Sequence, residues 1–217
     1  MHTWIKFCGT TSLADAEVSI AAGADALGFI FAPSKRHVSA TQAREIIRHL
    51  PPETEKIGVF MDERMENILS IVDEAGLTGA QLHGEESADE LARLAQMGNG
   101  DKAFRLIKTV LVRNNFKDEL HTAVKGVGPP NCILLDSGAG SGKTFVWRDA
   151  IEFVSAATRH VIVAGGLTPE NVGEAIEILS PWGVDVVSGV EKQAGQKDPR
   201  KLKAFVEAVR TAEKNHG

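Results

Sequence analysis

Short apolar runs alternate with longer amphipathic stretches along the whole chain. The runs are TWIKFC from Thr3, ALGFIF from Ala26, KIGVFM from Lys56, GAQLH from Gly79, FRLIKTV from Phe104, CILLD from Cys132, VIVAG from Val161 and VDVVSG from Val184. They are brief, rich in Val, Ile, Leu and Phe, and lack clean alternation, as parallel strands covered on both faces do. Helical patterns fill the gaps. SLADAEVSIAAG opens on Ser12 as N-cap and closes at Gly23, SATQAREIIRHLPP begins near Ser39 and stops at Pro51, and SADELARLAQMG runs from near Ser87 to Gly98. TPENVGEAIEILS offers Thr168 as cap with Pro169 at the first helical position, and DPRKLKAFVEAVRTAEK repeats the device with Asp198 and Pro199. TFVWRDAIEFVSAA reads as helical only from about Val146 or Trp147.

Eight strand-like runs, each followed by a helix-like stretch, predict a parallel sheet. In 217 residues that rhythm predicts a single-domain α/β protein, a (β/α)8 TIM barrel spanning residues 1–217. The alternative, an open doubly wound sheet, needs a switch point and usually has fewer, longer units. No linker, low-complexity tract or short repeat interrupts the rhythm.

Composition narrows the function classes. Hydrophobic residues make up 43% of the chain, enough for a substantial core. With 24 basic and 29 acidic residues the net charge is −5, and no basic stripe marks a nucleic-acid surface. The most apolar window, ALGFIFAP, is too short to span a bilayer, and MHTWIKFCGTT does not have the pattern of a secretory signal. Cys8 and Cys132 form neither a disulfide framework nor a zinc spacing, so no metal is expected and the cytoplasm is the expected location.

In a barrel of this kind the chemistry sits at the carboxyl ends of the strands. Cys8 ends the first run, beside Gly9; it is either a small buried hydrophobe or a thiolate base or nucleophile. Cys132 starts its strand, at the wrong end for catalysis, and reads as structural. Asp136 ends the sixth run, where an acid is costly unless hydrogen-bonded or functional; partial burial there would raise its pKa toward that of a general acid. His83 is a site-lining candidate. Arg36, in FAPSKRHVS, is either a solvated charge or a fork for a carboxylate. Gly165–Gly166 and Ser188–Gly189 end the seventh and eighth runs, where such barrels bind phosphate through backbone N–H groups, and Asp185 in the eighth run is a further substrate-binding candidate.

The segment LLDSGAGSGKTFVW sounds like a nucleotide phosphate loop. The motif G-x-x-x-x-G-K-[ST] requires glycine at position 137, where this chain has Ser137, and the helical pattern starts too late. A nucleotide-binding protein therefore stands only as an alternative, beside another phosphosugar-binding barrel enzyme.

Together, IKFCGTT, LGFIFAPSKRHVS, IGVF, QLHG, LLDS…GSGKTFVW, VAGGLTPENV and GVDVVSGVE…GQKD resemble the phosphoribosylanthranilate isomerases of tryptophan biosynthesis, from the first strand to the last. The resemblance implies a (β/α)8 barrel without cofactor. It implies an Amadori rearrangement of N-(5-phosphoribosyl)anthranilate to 1-(2-carboxyphenylamino)-1-deoxyribulose 5-phosphate. By the same resemblance Cys8 would be the general base, Asp136 the general acid and Arg36 the partner of the anthranilate carboxylate. Gly165–Gly166 and Ser188–Gly189 would hold the phosphate, and Gly140, Ser141 and Gly142 would form a close-approach turn over the substrate. The chain departs from the family at Ala139, Ser141 and Val146; the last replaces an acid that starts a helix. The histidine-pathway Amadori isomerase would carry aspartate where this chain has Cys8. The expected partner is a small phosphorylated substrate, with no nucleic acid and no membrane, and a monomer is slightly favoured over a homodimer.

Overall fold

A computed structural model describes residues 2–97, 104–112, 131–138 and 144–215. The eight predicted runs form eight strands: β1 (Trp4–Cys8), β2 (Ala26–Ile30), β3 (Glu55–Phe60), β4 (Gly79–Leu82), β5 (Arg105–Leu111), β6 (Cys132–Asp136), β7 (His160–Val163) and β8 (Gly183–Val186). Each pairs in parallel with the next, and β8 returns to β1 to close the barrel.

Seven α-helices lie among the described residues: α1 (Leu13–Ala22), α2 (Ala40–Ile47), α3 (Met65–Ala75), α4 (Ala88–Ala95), α5 (Ile151–Ala156), α6 (Val172–Leu179) and α7 (Pro199–Asn215). The connection between β5 and β6 lies mostly outside the described residues. Local chemistry sets most helix starts. Ser12 accepts from Asp15 N at 3.1 Å, and Ser39 and Ser87 form capping boxes with Gln42 and Glu90. Asp198 accepts from Arg200 N at 2.9 Å, ahead of Pro199. One expected start is displaced. Thr168 does not cap α6; its hydroxyl accepts from Glu170 N, while Asn171 Oδ1 accepts from Thr168 N at 2.8 Å. Those bonds close a turn first, and the helix begins at Val172. The sixth helical stretch opens as a 3-10 turn at Trp147–Ala150 before α5.

Two apolar layers hold the barrel. The larger lies between strands and helices and includes Ile5, Phe7, Phe29, Ile68, Leu91 and Phe205. The smaller lines the lower interior with Trp4, Ala26, Ile57, Ile107, Cys132, Leu134 and Ile162. At its base Trp182 stacks on Trp4 and His160, with ring centroids 5.1 and 4.1 Å apart, and the Arg105 guanidinium lies 5.0 Å over Trp182. Cys132 belongs to this floor, as expected of a structural cysteine.

Above the floor the interior turns polar. Because side chains alternate along a strand, Trp4, Lys6 and Cys8 share one face of β1. Lys6 is fully buried, and its Nζ donates to Asp185 Oδ1 on β8 and to Gln81 Oε1 on β4, each at 2.9 Å. Lys6 and Asp185 are register partners on neighbouring strands, whereas β4 lies on the opposite wall. Lys6→Met would strand the Asp185 carboxylate without its cation in this interior, and urea unfolding is expected to show a loss of about 3–5 kcal/mol. A loss below about 1 kcal/mol, the worth of a surface pair, would contradict the structural role given to the ion pair.

Candidate active site

A cavity of about 570 Å³ opens at the carboxyl end of the barrel. Cys8, at the end of β1, and Asp136, at the end of β6, both line it. Arg36 and His83 line it from the loops after β2 and β4. Gly165, Gly166, Ser188 and Gly189 enter from the loops after β7 and β8, and Asp185 reaches it from within β8. Every expected site residue that is described thus meets in one space. Gly140, Ser141 and Gly142 fall outside the described residues.

Asp136 is half-buried, and its Oδ1 accepts from Gly138 N at 2.9 Å. Burial, helped by the charge of Asp185, raises its pKa above the usual aspartate range against the pull of Gly138 N and Lys6. That shift favours the protonated carboxyl an acid catalyst needs. Cys8 is 3% exposed. Burial pushes its thiol up, and the neighbouring cations Lys6 and Lys197 do not overcome it. The free protein therefore holds Cys8 as a thiol, not as the thiolate expected of a base.

Desolvation, with Lys6 and Lys108 nearby, pushes the His83 pKa down to about 4. Its Nε2 lies 2.8 Å from the Gln81 amide nitrogen, which donates to a neutral ring protonated on Nδ1. His83 is thus a neutral wall group.

The loops after β7 and β8 touch through backbone. Gly165 has φ +84° and Gly166 φ +65°, and a Cβ at Gly165 would lie 2.2 Å from Ser137 Oγ and 2.8 Å from Asp136 Oδ1. A Cβ at Gly189 would lie 2.0 Å from Leu167 O. Only glycine permits these approaches, which bring both loops to one side of the cavity beside the acid. Asn171 Nδ2 donates to Gly166 O at 3.0 Å and holds the first loop in place. Lys201 lines an adjoining cavity of about 370 Å³ with Gly166, Ser188 and Gly189.

Arg36 is not a solvated charge. Its Nε and Nη2 donate to the two carboxylate oxygens of Glu191 at 2.8 and 2.6 Å. Glu191 belongs to a small antiparallel hairpin, β9 (Glu191–Gln193) and β10 (Gln196–Lys197), that the hydrophobic pattern did not foretell. Lys197, also buried, donates to Cys8 O at 2.6 Å and reaches Glu191 Oε1 at 3.4 Å. Sequence reasoning missed the structural parts of Lys6, Gln81, Glu191 and Lys197. The two-residue spacing of Lys6 and Cys8 on β1, and the charged pair in GVE…GQKD, were the available signals.

Among the described residues, no group of three or more His, Cys, Asp or Glu side chains is placed to hold a metal ion. No described helix is long and apolar enough to cross a membrane.

Comparison with known proteins fits this geometry. A family profile described as N-(5'phosphoribosyl)anthranilate (PRA) isomerase matches residues 5–208. The N-(5'-phosphoribosyl)anthranilate isomerase of Desulforudis audaxviator is 41% identical over 217 residues, covering 97% of this chain and 99% of the relative. A crystal structure of phosphoribosyl anthranilate isomerase in complex with reduced 1-(o-carboxyphenylamino)-1-deoxyribulose 5-phosphate superposes with a TM-score of 0.83 at 36% identity, covering 97% of this chain and all of that one. Monomers generated from the dimeric enzyme of Thermotoga maritima superpose with a TM-score of 0.84 at 36% identity, with the same coverage. With its closed barrel, its cavity and near-complete matches to these proteins, the chain belongs to the N-(5'-phosphoribosyl)anthranilate isomerase family.

Proposed function

We propose that the protein catalyses the Amadori rearrangement of N-(5-phosphoribosyl)anthranilate to 1-(2-carboxyphenylamino)-1-deoxyribulose 5-phosphate in tryptophan biosynthesis, with Asp136 as general acid and Cys8 as general base. The observation that carries this reading is that both residues face one cavity whose rim supplies a guanidinium and a pair of glycine loops. The substrate has matching parts, a carboxylate at one end, a phosphate at the other and the reacting carbons between.

Protonated Asp136 gives its proton to the ribose ring oxygen as the anilino nitrogen pushes its lone pair toward C1′. The C1′–oxygen bond breaks, and a C1′=N iminium forms. Its positive charge favours transfer of the thiol proton, which burial otherwise retains, to water in the open cavity. The thiolate then removes the proton from C2′, the C–H pair forms the C1′=C2′ bond, and the iminium nitrogen regains its lone pair. Water takes the enol proton and a proton from water is added at C1′ to give the ketone, and water returns the proton released by Cys8 to Asp136. No cofactor takes part. Arg36 is assigned the carboxylate, and Gly165–Gly166 with Ser188–Gly189 the phosphate, bound by backbone N–H groups. Asp185, which lines the cavity and pairs with Lys6, is assigned to substrate binding as well. The protein acts in the cytoplasm as a monomer, and light scattering showing a homodimer in solution would overturn the monomer.

Freshly prepared phosphoribosylanthranilate should be consumed by the protein, with loss of the substrate's fluorescence. Cys8→Ser and Asp136→Asn should each fold and lose about 10²–10⁴-fold in turnover. Near-normal turnover by either variant would remove that residue from the mechanism.

The His83 ring offers an independent check by NMR titration. With its pKa pushed down to about 4, below the ordinary 6.5, the folded ring should stay neutral from pH 8 to about pH 5. Since the unfolded chain takes up that proton first, His83 costs nothing above its ordinary pKa. It lowers stability by at most about 1.4 kcal/mol per pH unit as pH falls toward the folded value. A midpoint near the ordinary histidine value would contradict the desolvated wall position.

A further inference from the structure

The guanidinium of Arg36 has two edges able to grip a carboxylate. The Nε–Nη2 edge is taken by Glu191, with bonds of 2.8 Å and 2.6 Å, and Nη1 takes no protein acceptor among the described residues. The Nη1–Nη2 edge is therefore left for a ligand, on a side chain that lines the cavity. The Arg36 stem is restrained as well. Gly9 has φ +79°, and a Cβ there would lie 2.6 Å from Arg36 Cδ, so the stem occupies the space a side chain at position 9 would fill. The backbone of the Arg36 loop is tied down by Arg36 N donating to Ser34 Oγ at 3.1 Å and by Val38 N donating to Ile30 O at 3.0 Å.

Glu191 is itself held. Its side chain is 3% exposed, and Oε1 also accepts from Gly195 N at 3.3 Å and lies 3.4 Å from Lys197 Nζ. Burial works against its charge, yet Arg36 and Lys197 keep its pKa below the usual glutamate range. Lys197 is anchored in turn by Cys8 O at 2.6 Å and by its own backbone N–H, which donates to Asp15 Oδ1 at 2.9 Å. The charges of Arg36, Glu191 and Lys197 sum to one positive charge, enough to attract one carboxylate. Without Glu191 the site would carry one more positive charge, but Arg36 would sample many rotamers.

We infer that Glu191 is a positioning residue for ligand recognition: it does not touch the ligand but holds the Arg36 guanidinium over Gly9 with its outer edge turned to the ligand's carboxylate. This inference rests on the reading of Arg36 as the carboxylate partner. It makes the hairpin β9–β10 part of the specificity machinery, linked through Lys197 to the strand end that carries Cys8.

Glu191→Gln separates positioning from charge. Glutamine presents an amide N–H to one of the Arg36 donors, so the two-bond grip is lost, while the site gains a net positive charge. Electrostatics alone would tighten carboxylate binding, whereas loss of positioning weakens it. Two ligands report the difference by calorimetry: reduced 1-(o-carboxyphenylamino)-1-deoxyribulose 5-phosphate, and the same compound built on aniline, without the carboxylate. The intact protein should prefer the first, and Arg36→Met should abolish that preference. Glu191→Gln should reduce it by about tenfold or more, the worth of a charge-assisted contact, while affinity for the aniline compound stays within about twofold. Gly9→Ala, which displaces the Arg36 stem without altering charge, should also reduce the preference and serves if Glu191→Gln does not fold. An unchanged or increased preference in Glu191→Gln, or equal weakening of both ligands, overturns the inference while leaving Arg36 in place. Should Glu191→Gln fail to fold, an unchanged preference in Gly9→Ala overturns it. Absence of any preference in the intact protein overturns the reading of Arg36 and the inference with it.

Discussion

A lysine ammonium inside the barrel is the constraint around which the rest is arranged. Lys6 projects from β1 into an interior where an unpaired charge could not persist, and its bonds to Asp185 and Gln81 satisfy it from two different walls. That arrangement aligns β1 with β8 and β4 at the level just beneath the cavity. It also brings a carboxylate and an ammonium close to both Asp136 and Cys8. Asp185 adds to the burial that raises the Asp136 pKa, while Lys6 opposes burial at both Asp136 and Cys8. The apolar floor of Trp4, Ile57, Ile107 and Leu134 lines the lower interior, and the polar layer faces the open cavity above it.

A second polar assembly, at the mouth, has the same logic. Arg36, Glu191 and Lys197 pair in sequence, and the last lysine ends on the carbonyl of Cys8. Cys8 is thereby braced from below by the Lys6 side chain's neighbourhood and from the side by Lys197. The glycine loops after β7 and β8 come within backbone contact distance, a surface suited to a phosphate. The cavity thus carries two unlike anion-binding chemistries, a guanidinium and glycine backbone, suited to a ligand with two unlike anionic ends.

Much of the scaffold was legible because of how parallel barrels bury their strands. Each strand is covered on both faces, so Cys132–Asp136 or Ala26–Ile30 stands out as an unbroken apolar run with chemistry at its end. The site residues at those ends could be placed for the same reason. Long-range polar pairing was not legible. Lys6 interrupts an apolar run without showing what satisfies it, since its partners lie 75 and 179 residues away. The β9–β10 hairpin was invisible because strands of three and two residues, mostly polar, carry no periodicity. The start of α6 was misplaced because the Asn171 side chain bonds back to Thr168 and Gly166, and local cap patterns do not reveal that competition. The protonation of Cys8 depends on the balance of burial against two lysines, which no motif encodes.

The direction of the bound ligand follows from the roles assigned to Arg36 and to the glycine loops and is open to observation. In a crystal structure of this protein with reduced 1-(o-carboxyphenylamino)-1-deoxyribulose 5-phosphate, the carboxylate should lie on the outer edge of Arg36 and the phosphate on the loops of Gly165–Gly166 and Ser188–Gly189. C2′ should then lie against Cys8 Sγ, with the hydroxyl derived from the ring oxygen at Asp136. A ligand turned end for end, or one whose C2′ is out of reach of both Cys8 and Asp136, would contradict the assignment of acid, base and anchors together.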